Sequence, residues 1–162
     1  MDETVKIGIS FNQVNEETKR FVTQLKVDIG KCFNRFGIQN QFQDEKNLSN
    51  SDFIFVFASK NDWKDSKYLK SCEALLKMNN SFLFQIDQIN PKEIVNYVQE
   101  SITFSFWDTI PETGEILLYR FDNPKSNILY WDKLTDIVFE INQKHFSHKK
   151  AKKESIYLAL TD

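Results

Sequence analysis

The sequence predicts an α/β protein: a doubly wound, mainly parallel sheet of about five strands flanked by helices, with one added hairpin. Two observations carry that expectation. Residues 52 to 87 (DFIFVFASKNDWKDSKYLKSCEALLKMNNSFLFQID) read as buried strand, polar loop, helix and buried strand. The run Phe53-Ile54-Phe55-Val56-Phe57 has too little alternation for a half-exposed strand. Such runs belong to strands covered on both faces, as in parallel sheets. The second observation is a long helical stripe. Val14, Thr18, Phe21, Val22, Leu25, Ile29, Cys32, Phe33 and Phe36 recur every three or four residues, which gives one broad apolar face.

The elements follow in order. Val5 to Phe11 is a strand, and Asn12 to Asn15 a polar loop. The helix then runs to Phe36 and stops at Gly37, the residue that best tolerates a left-handed helix end. Ile38 to Gln43 is a short, more polar strand nearer an edge. Asp44 to Asp52 (DEKNLSNSD) is turn chemistry with a single Leu, and it is expected to be coil. It is too short for the usual crossover helix between parallel strands. Either the second strand is not parallel to the third, or the crossover helix has been cut away.

The next helix has Ser66 as its N-cap and Tyr68, Leu69, Cys72, Leu75 and Leu76 inward. It ends at Asn79-Asn80, before a strand from Ser81 to Asp87. Pro91 opens a short helix to about Gln99. Ser101 to Asp108 and Ile116 to Phe121 form a hairpin joined by residues 109 to 115. A last helix starts at Ser126 or Asn127 and ends near His145, with Leu129, Tyr130, Leu134, Ile137, Val138 and Ile141 inward. A basic, solvated run follows from His145 to Lys153, and Ser155 to Leu160 reads as a fresh strand. The chain thus divides into a domain of residues 1–146 and a tail of residues 147–162, a basic linker with the start of a further strand or module.

Composition bounds the function. A length of 162 residues suits one domain with an adequate core. A hydrophobic fraction of 41% excludes disorder, and fifteen Phe against four Gly point to a Phe-filled core. A net charge of −2 argues against broad nucleic-acid binding. No segment reaches the ~18 apolar residues of a membrane helix. Met1-Asp2-Glu3-Thr4 lacks the basic start of a signal peptide. Cys32 and Cys72 fall in apolar helical patterns and read as free thiols of a reducing cytoplasm. No His/Cys cluster has metal-ligand spacing, so no metal is expected.

Candidate site residues gather past the carboxyl ends of the first and third strands, where doubly wound sheets bind ligands. Glu73 lies at the edge of its helix's apolar stripe, at the border of core and cleft. A lone carboxylate there can stabilise an oxocarbenium ion as an N-glycosidic bond breaks; a solvated helix acid is the competing reading. Trp63 is either a stacking surface for a base or an aromatic lid. Ser10 and Phe11 end the first strand, and Ser66 opens the helix that carries Glu73. Glycine-rich phosphate loops, GxSxG elbows and HExxH motifs are absent.

These residues resemble TIR (Toll/interleukin-1 receptor) domains, bacterial ones above all, over roughly residues 5 to 145. KIGISF (Lys6 to Phe11) is similar to the family's first strand. IFVFASKNDWKDSKYLKSCEALL (Ile54 to Leu76) is similar to its third strand, loop and helix, with Ser59, Ser66, Tyr68 and Glu73 in the matching places. YWDKLTDIVFEI (Tyr130 to Ile141) resembles its last helix. The resemblance implies a flavodoxin-like fold in a cytoplasmic signalling protein of bacterial immunity or anti-phage defence, with further domains on the same polypeptide. It also implies self-association, or cleavage of NAD+ as substrate when clustered. Glu73 would then be catalytic, with Ser10, Phe11, Trp63 and Ser66 lining the NAD+ cleft. Two departures stand out. Tyr68 to Glu73 is one residue longer than the family spacing, so an ungapped match puts Cys72 in the glutamate's place. Residues 44–52 replace the long BB loop and second helix, which serve assembly and composite active sites.

Two other classes compete. A nucleoside deoxyribosyltransferase-like enzyme also uses a helix glutamate on such a sheet, but needs more polar base-binding residues than Phe11-Asn12-Gln13-Val14. A receiver-like module needs paired acids after the first strand, where Ser10-Phe11-Asn12 has none.

Overall fold

A computed structural model of the chain describes residues 4–89 and 102–161. Five strands form one sheet: β1 (Val5–Ser10), β2 (Asn40–Gln43), β3 (Phe53–Ala58), β4 (Ser81–Gln85) and β5 (Ile102–Ser105). Their order is β2-β1-β3-β4-β5, and every pairing is parallel. This is the flavodoxin-like arrangement, whose ligand crevice lies where the order reverses, between β1 and β3. The short strands β6 (Trp107–Thr109) and β7 (Ile116–Leu118) form a separate antiparallel hairpin. Three α-helices lie among the described residues: α1 (Glu16–Arg35), α2 (Ser66–Leu76) and α3 (Asn127–Thr161). The helix expected from Pro91 lies outside the described residues.

The alternation of β3 sorts its side chains between two cores. Phe53, Phe55 and Phe57 point to one face, with Phe82 and Phe84 of β4, Val5, Ile7 and Ile9 of β1, and the inner sides of α1 and α3. Ile54, Val56, Ala58 and Leu83 point to the other, against Trp63 and the Tyr68, Cys72 and Leu76 stripe of α2. The phenylalanine face is laced by tilted and edge-to-face ring pairs, such as Phe55–Phe84 at 4.5 Å and Phe57–Phe84 at 4.8 Å, the arrangement that ring quadrupoles favour.

α1 begins where Asn15 accepts a hydrogen bond from the Thr18 amide. It ends before Gly37, whose φ of +69° suits a residue without Cβ. Its buried stripe includes Asp28, whose carboxylate accepts a 2.7 Å bond from the Tyr130 hydroxyl of α3 and bonds from Gln24 on its own helix. Burial raises the Tyr130 hydroxyl well above its ordinary pKa, and the Asp28 carboxylate adds to the shift. The pair bolts α1 to α3 through a buried, fully partnered contact.

Several sequence expectations are corrected. Val14 precedes α1 and is 81% exposed, and Phe36 is also exposed; a helix stripe cannot extend past its caps. Residues 44–52 are not plain coil: a kinked 3-10 helix spans Glu45–Asn50. The second and third strands nonetheless both run parallel to β1, so the crossover helix has shrunk to this turn. Asp52 fastens its end, its amide donating to the Lys6 carbonyl and its carboxylate accepting from the Lys6 amide. Leu48 presses onto β1 at Gly8, where a Cβ would stand 2.5 Å from Leu48 Cδ2 and 2.7 Å from Ser51 Oγ. The strand expected from Ser101 to Asp108 breaks at Phe106, giving β5 to the sheet and β6 to the hairpin. Asp65, not Ser66, is the N-cap of α2 and accepts from the amides of Lys67 and Tyr68. α3 does not stop near His145, and residues 155–160 continue it as helix instead of forming a strand; the Lys, Ala and Glu of residues 149–154 and the Leu-Ala-Leu of 158–160 are good helix formers. Among the described residues no helix is long and apolar enough to cross a membrane.

Candidate functional site

The β1 and β3 ends are joined by a polar network. Asp62, buried just past β3, accepts from the Ser59 amide at 2.8 Å, Asn15 Nδ2 at 3.1 Å and the Thr18 hydroxyl at 3.4 Å. Asn15 is fully employed: its oxygen caps α1 while its amide also donates to Ser59 Oγ. A second tie runs from Asn12 Nδ2 to Asp65 Oδ2 at 3.2 Å. Buried polar groups so thoroughly paired hold one arrangement, and they fix the two loops that frame the crevice.

Beside these loops lies a cavity of about 690 Å³, within the size range of small-molecule sites. Ser10 and Phe11 line it from the end of β1, Leu48 from the 3-10 turn, and Lys67, Ser71 and Ala74 from one side of α2. Gly8 and Ser10 occupy the β1 positions on the α2 face: Leu48 and Ser51 close over Gly8, and Ser10 lines the cavity. Among the described lining residues, the one carboxylate is Asp65. Both its oxygens are already bonded, to the α2 amides and to Asn12.

The candidate residues are thus divided. Ser10 and Phe11 line the cavity. Ser66, exposed at the first position of α2, is not among the lining residues. Trp63 is no lid: it is buried in the core under α2, and its indole N–H has no partner among the described residues. Glu73, expected at the border of the cleft, lies outside the cavity. Its side chain is 44% exposed and pairs with Lys77 one turn on, at 3.6 Å. The 100° helical step explains this, setting Glu73 about 130° round from Lys67, Ser71 and Ala74. Cys72 points into the core, and burial pushes its thiol up to about 12, which leaves it inert as a nucleophile.

Sequence reasoning missed Arg120. Its guanidinium donates to the carbonyls of Ile86 at 2.7 Å and Tyr119 at 2.9 Å, and reaches that of Phe106 at 3.5 Å. It also stacks over the Phe21 ring at 4.7 Å. Burial lowers its pKa, while the carboxylates of Glu17, Asp87 and Asp122 act against that; the group stays charged. Arg120 clamps the hairpin to the carboxyl ends of β4 and β5. Nearby, Asp87 accepts a bond from the Lys60 amide, and burial raises its carboxyl above the ordinary range. A smaller hollow of about 290 Å³ opens between α1 and the start of α3, lined by Arg20, Gln24, Arg120 and Tyr130 among others. Among the described residues, no group of three or more His, Cys, Asp or Glu is placed to hold a metal ion. No protein-family model matches this chain, and no curated protein or solved structure matches it.

Proposed function

We propose that the chain is a TIR-like signalling module that works by recognition and protein–protein assembly, of the kind used in bacterial immune defence, without itself cleaving NAD+. The strand order supports the TIR-like reading, as does the position of the matching segments, with KIGISF on β1 and IFVFASKNDWKDSKYLKSCEALL on β3 and α2. One observation carries the non-catalytic half. Cleaving the glycosidic bond of NAD+ calls for a carboxylate aimed at the developing oxocarbenium ion. Glu73 is turned away and paired with Lys77, and Asp65 is committed to capping α2.

The test is nicotinamide release. The protein is fused to a tetramerising helix, so that any activity needing clustering is switched on, and incubated with NAD+. The expected outcome is no nicotinamide above background, with Glu73→Gln identical to the parent. Sustained release that Glu73→Gln abolishes would make the domain an NAD+ hydrolase and overturn this reading.

A further inference from the structure

The hollow of about 290 Å³ between α1 and the start of α3 is at the lower end of the size range of small-molecule sites. Four charged side chains line it: Glu17 and Arg20 from α1, and Arg120 and Asp122 from the loop after β7. Their charges cancel, yet among the described residues none of the four is in an ion pair. Glu17 and Arg20 stand three positions apart on one helix. Side chains at that spacing can pair, and these do not.

Arg120 is the half-buried member of the group. Its Nη1 donates to the Phe106 and Tyr119 carbonyls, and its Nη2 to that of Ile86. Its Nε–H and the second N–H of Nη2 have no partner among the described residues. A guanidinium with donors to spare is a ready partner for a carboxylate. Rings supply the apolar part of the lining. Phe21 is buried beneath Arg120, whereas Phe121 is 43% exposed. A ring so exposed offers apolar surface for a ligand to cover.

The mixture of signs selects the ligand class. Two arginines alone would suit a phosphate or a dicarboxylate. Here Glu17 and Asp122 repel a ligand of purely negative charge, and the arginines repel one of purely positive charge. A small molecule carrying both signs meets a partner for each. We propose that this hollow binds a free α-amino acid with a large apolar side chain. Arg20 and Arg120 take its carboxylate, Glu17 and Asp122 its ammonium, and its side chain covers Phe121. The site goes beyond the assembly function proposed above and stands without it.

The experiment is calorimetric titration of the full chain, with amide NMR shifts to locate the ligand. The probes are L-phenylalanine, L-leucine and L-methionine. At least one is expected to saturate below ~10 mM and to shift the amides of residues 17–24 and 120–122. Two derivatives of that probe test the signs separately. The N-acetyl form lacks the ammonium and resembles a chain's carboxyl terminus; the amide form lacks the carboxylate and resembles an amino terminus. Each should bind ~10-fold or more weakly than the parent. Glu17→Gln and Arg20→Gln, both at exposed positions, should each weaken binding of the parent by ~10-fold or more while circular dichroism stays unchanged. Either derivative binding as tightly as its parent would overturn the amino-acid assignment in favour of a chain terminus. Shifts centred on Ser10 and Lys67 would put the ligand in the other cavity and overturn the placement. Binding indifferent to both variants, or no saturation by any of the three probes, would overturn the proposal outright.

Discussion

The two faces of the sheet are packed by different means. On the α1–α3 face, β3 and β4 present Phe53, Phe55, Phe57, Phe82 and Phe84, and two long helices close over them. On the α2 face the same strands present Ile54, Val56, Ala58 and Leu83, while β1 offers only Gly8 and Ser10 near its end. One eleven-residue helix and a 3-10 turn cover that side among the described residues. Large rings fill the first face, and the hollow between α1 and the start of α3 is the smaller of the two described, at about 290 Å³. On the second face the larger cavity opens past the end of β1, between Ser10, Leu48 and one side of α2. The ring-rich core and the larger cavity thus lie on opposite faces of the sheet.

The largest expected effect tests the closed face. Phe21 touches the rings of Phe57, Phe106 and Tyr130 and lies under Arg120. Phe21→Ala should cost ~3–5 kcal/mol in urea denaturation; a loss below about 1 kcal/mol would mean this face is not where the stability resides. The open face is probed at its tightest point. Gly8→Ala must displace Leu48 and Ser51, so it should cost ~1–3 kcal/mol and speed amide exchange across residues 45–50. Adding Leu48→Ala should recover part of the loss. If Gly8→Ala proves neutral, the 3-10 turn is not seated on β1 as described.

The smallest effect belongs to the rim, at Asp87. Its carboxyl is raised by burial, so the folded protein holds this proton to a higher pH than the unfolded chain does. As pH climbs from the ordinary value of about 3.9 through the raised one, ionisation penalises the folded state, and that cost is complete above it. Asp87→Asn keeps an oxygen for the Lys60 amide and removes the penalty. Its stability relative to wild type should therefore rise with pH across that window, and the pH-linked part of the difference should vanish in acid. A difference that does not change with pH would remove Asp87 from the account.

Much of this was legible in the sequence because it depended on period. The uninterrupted FIFVF run announced a strand covered on both sides, and its parity already assigned each residue to a face. The α1 stripe was readable from Thr18 to Phe33. The polar residue inside it, Asp28, sits at core spacing between Leu25 and Ile29 and could have been flagged as needing a buried partner. What stayed hidden was long-range: Tyr130 as that partner, Arg120 as the clamp, and the Asp62 network across the β1 and β3 loops. None of these has a local signature, since each joins residues dozens of positions apart. Glu73 failed for a finer reason. Placing it at the stripe's edge said how far it lay from the core but not on which side of the helix the cleft would open.

The bond between Tyr130 and Asp28 spans 102 positions, and that number is also an interval of time. At roughly 5–20 residues per second of synthesis, α1 leaves the ribosome about 5–20 s before its partner on α3 exists. Throughout that wait the side of α1 that α3 will cover is bare, with a carboxylate set in its middle. A charge in an otherwise apolar stripe discourages adhesion to other greasy surfaces until the one hydroxyl shaped to meet it arrives.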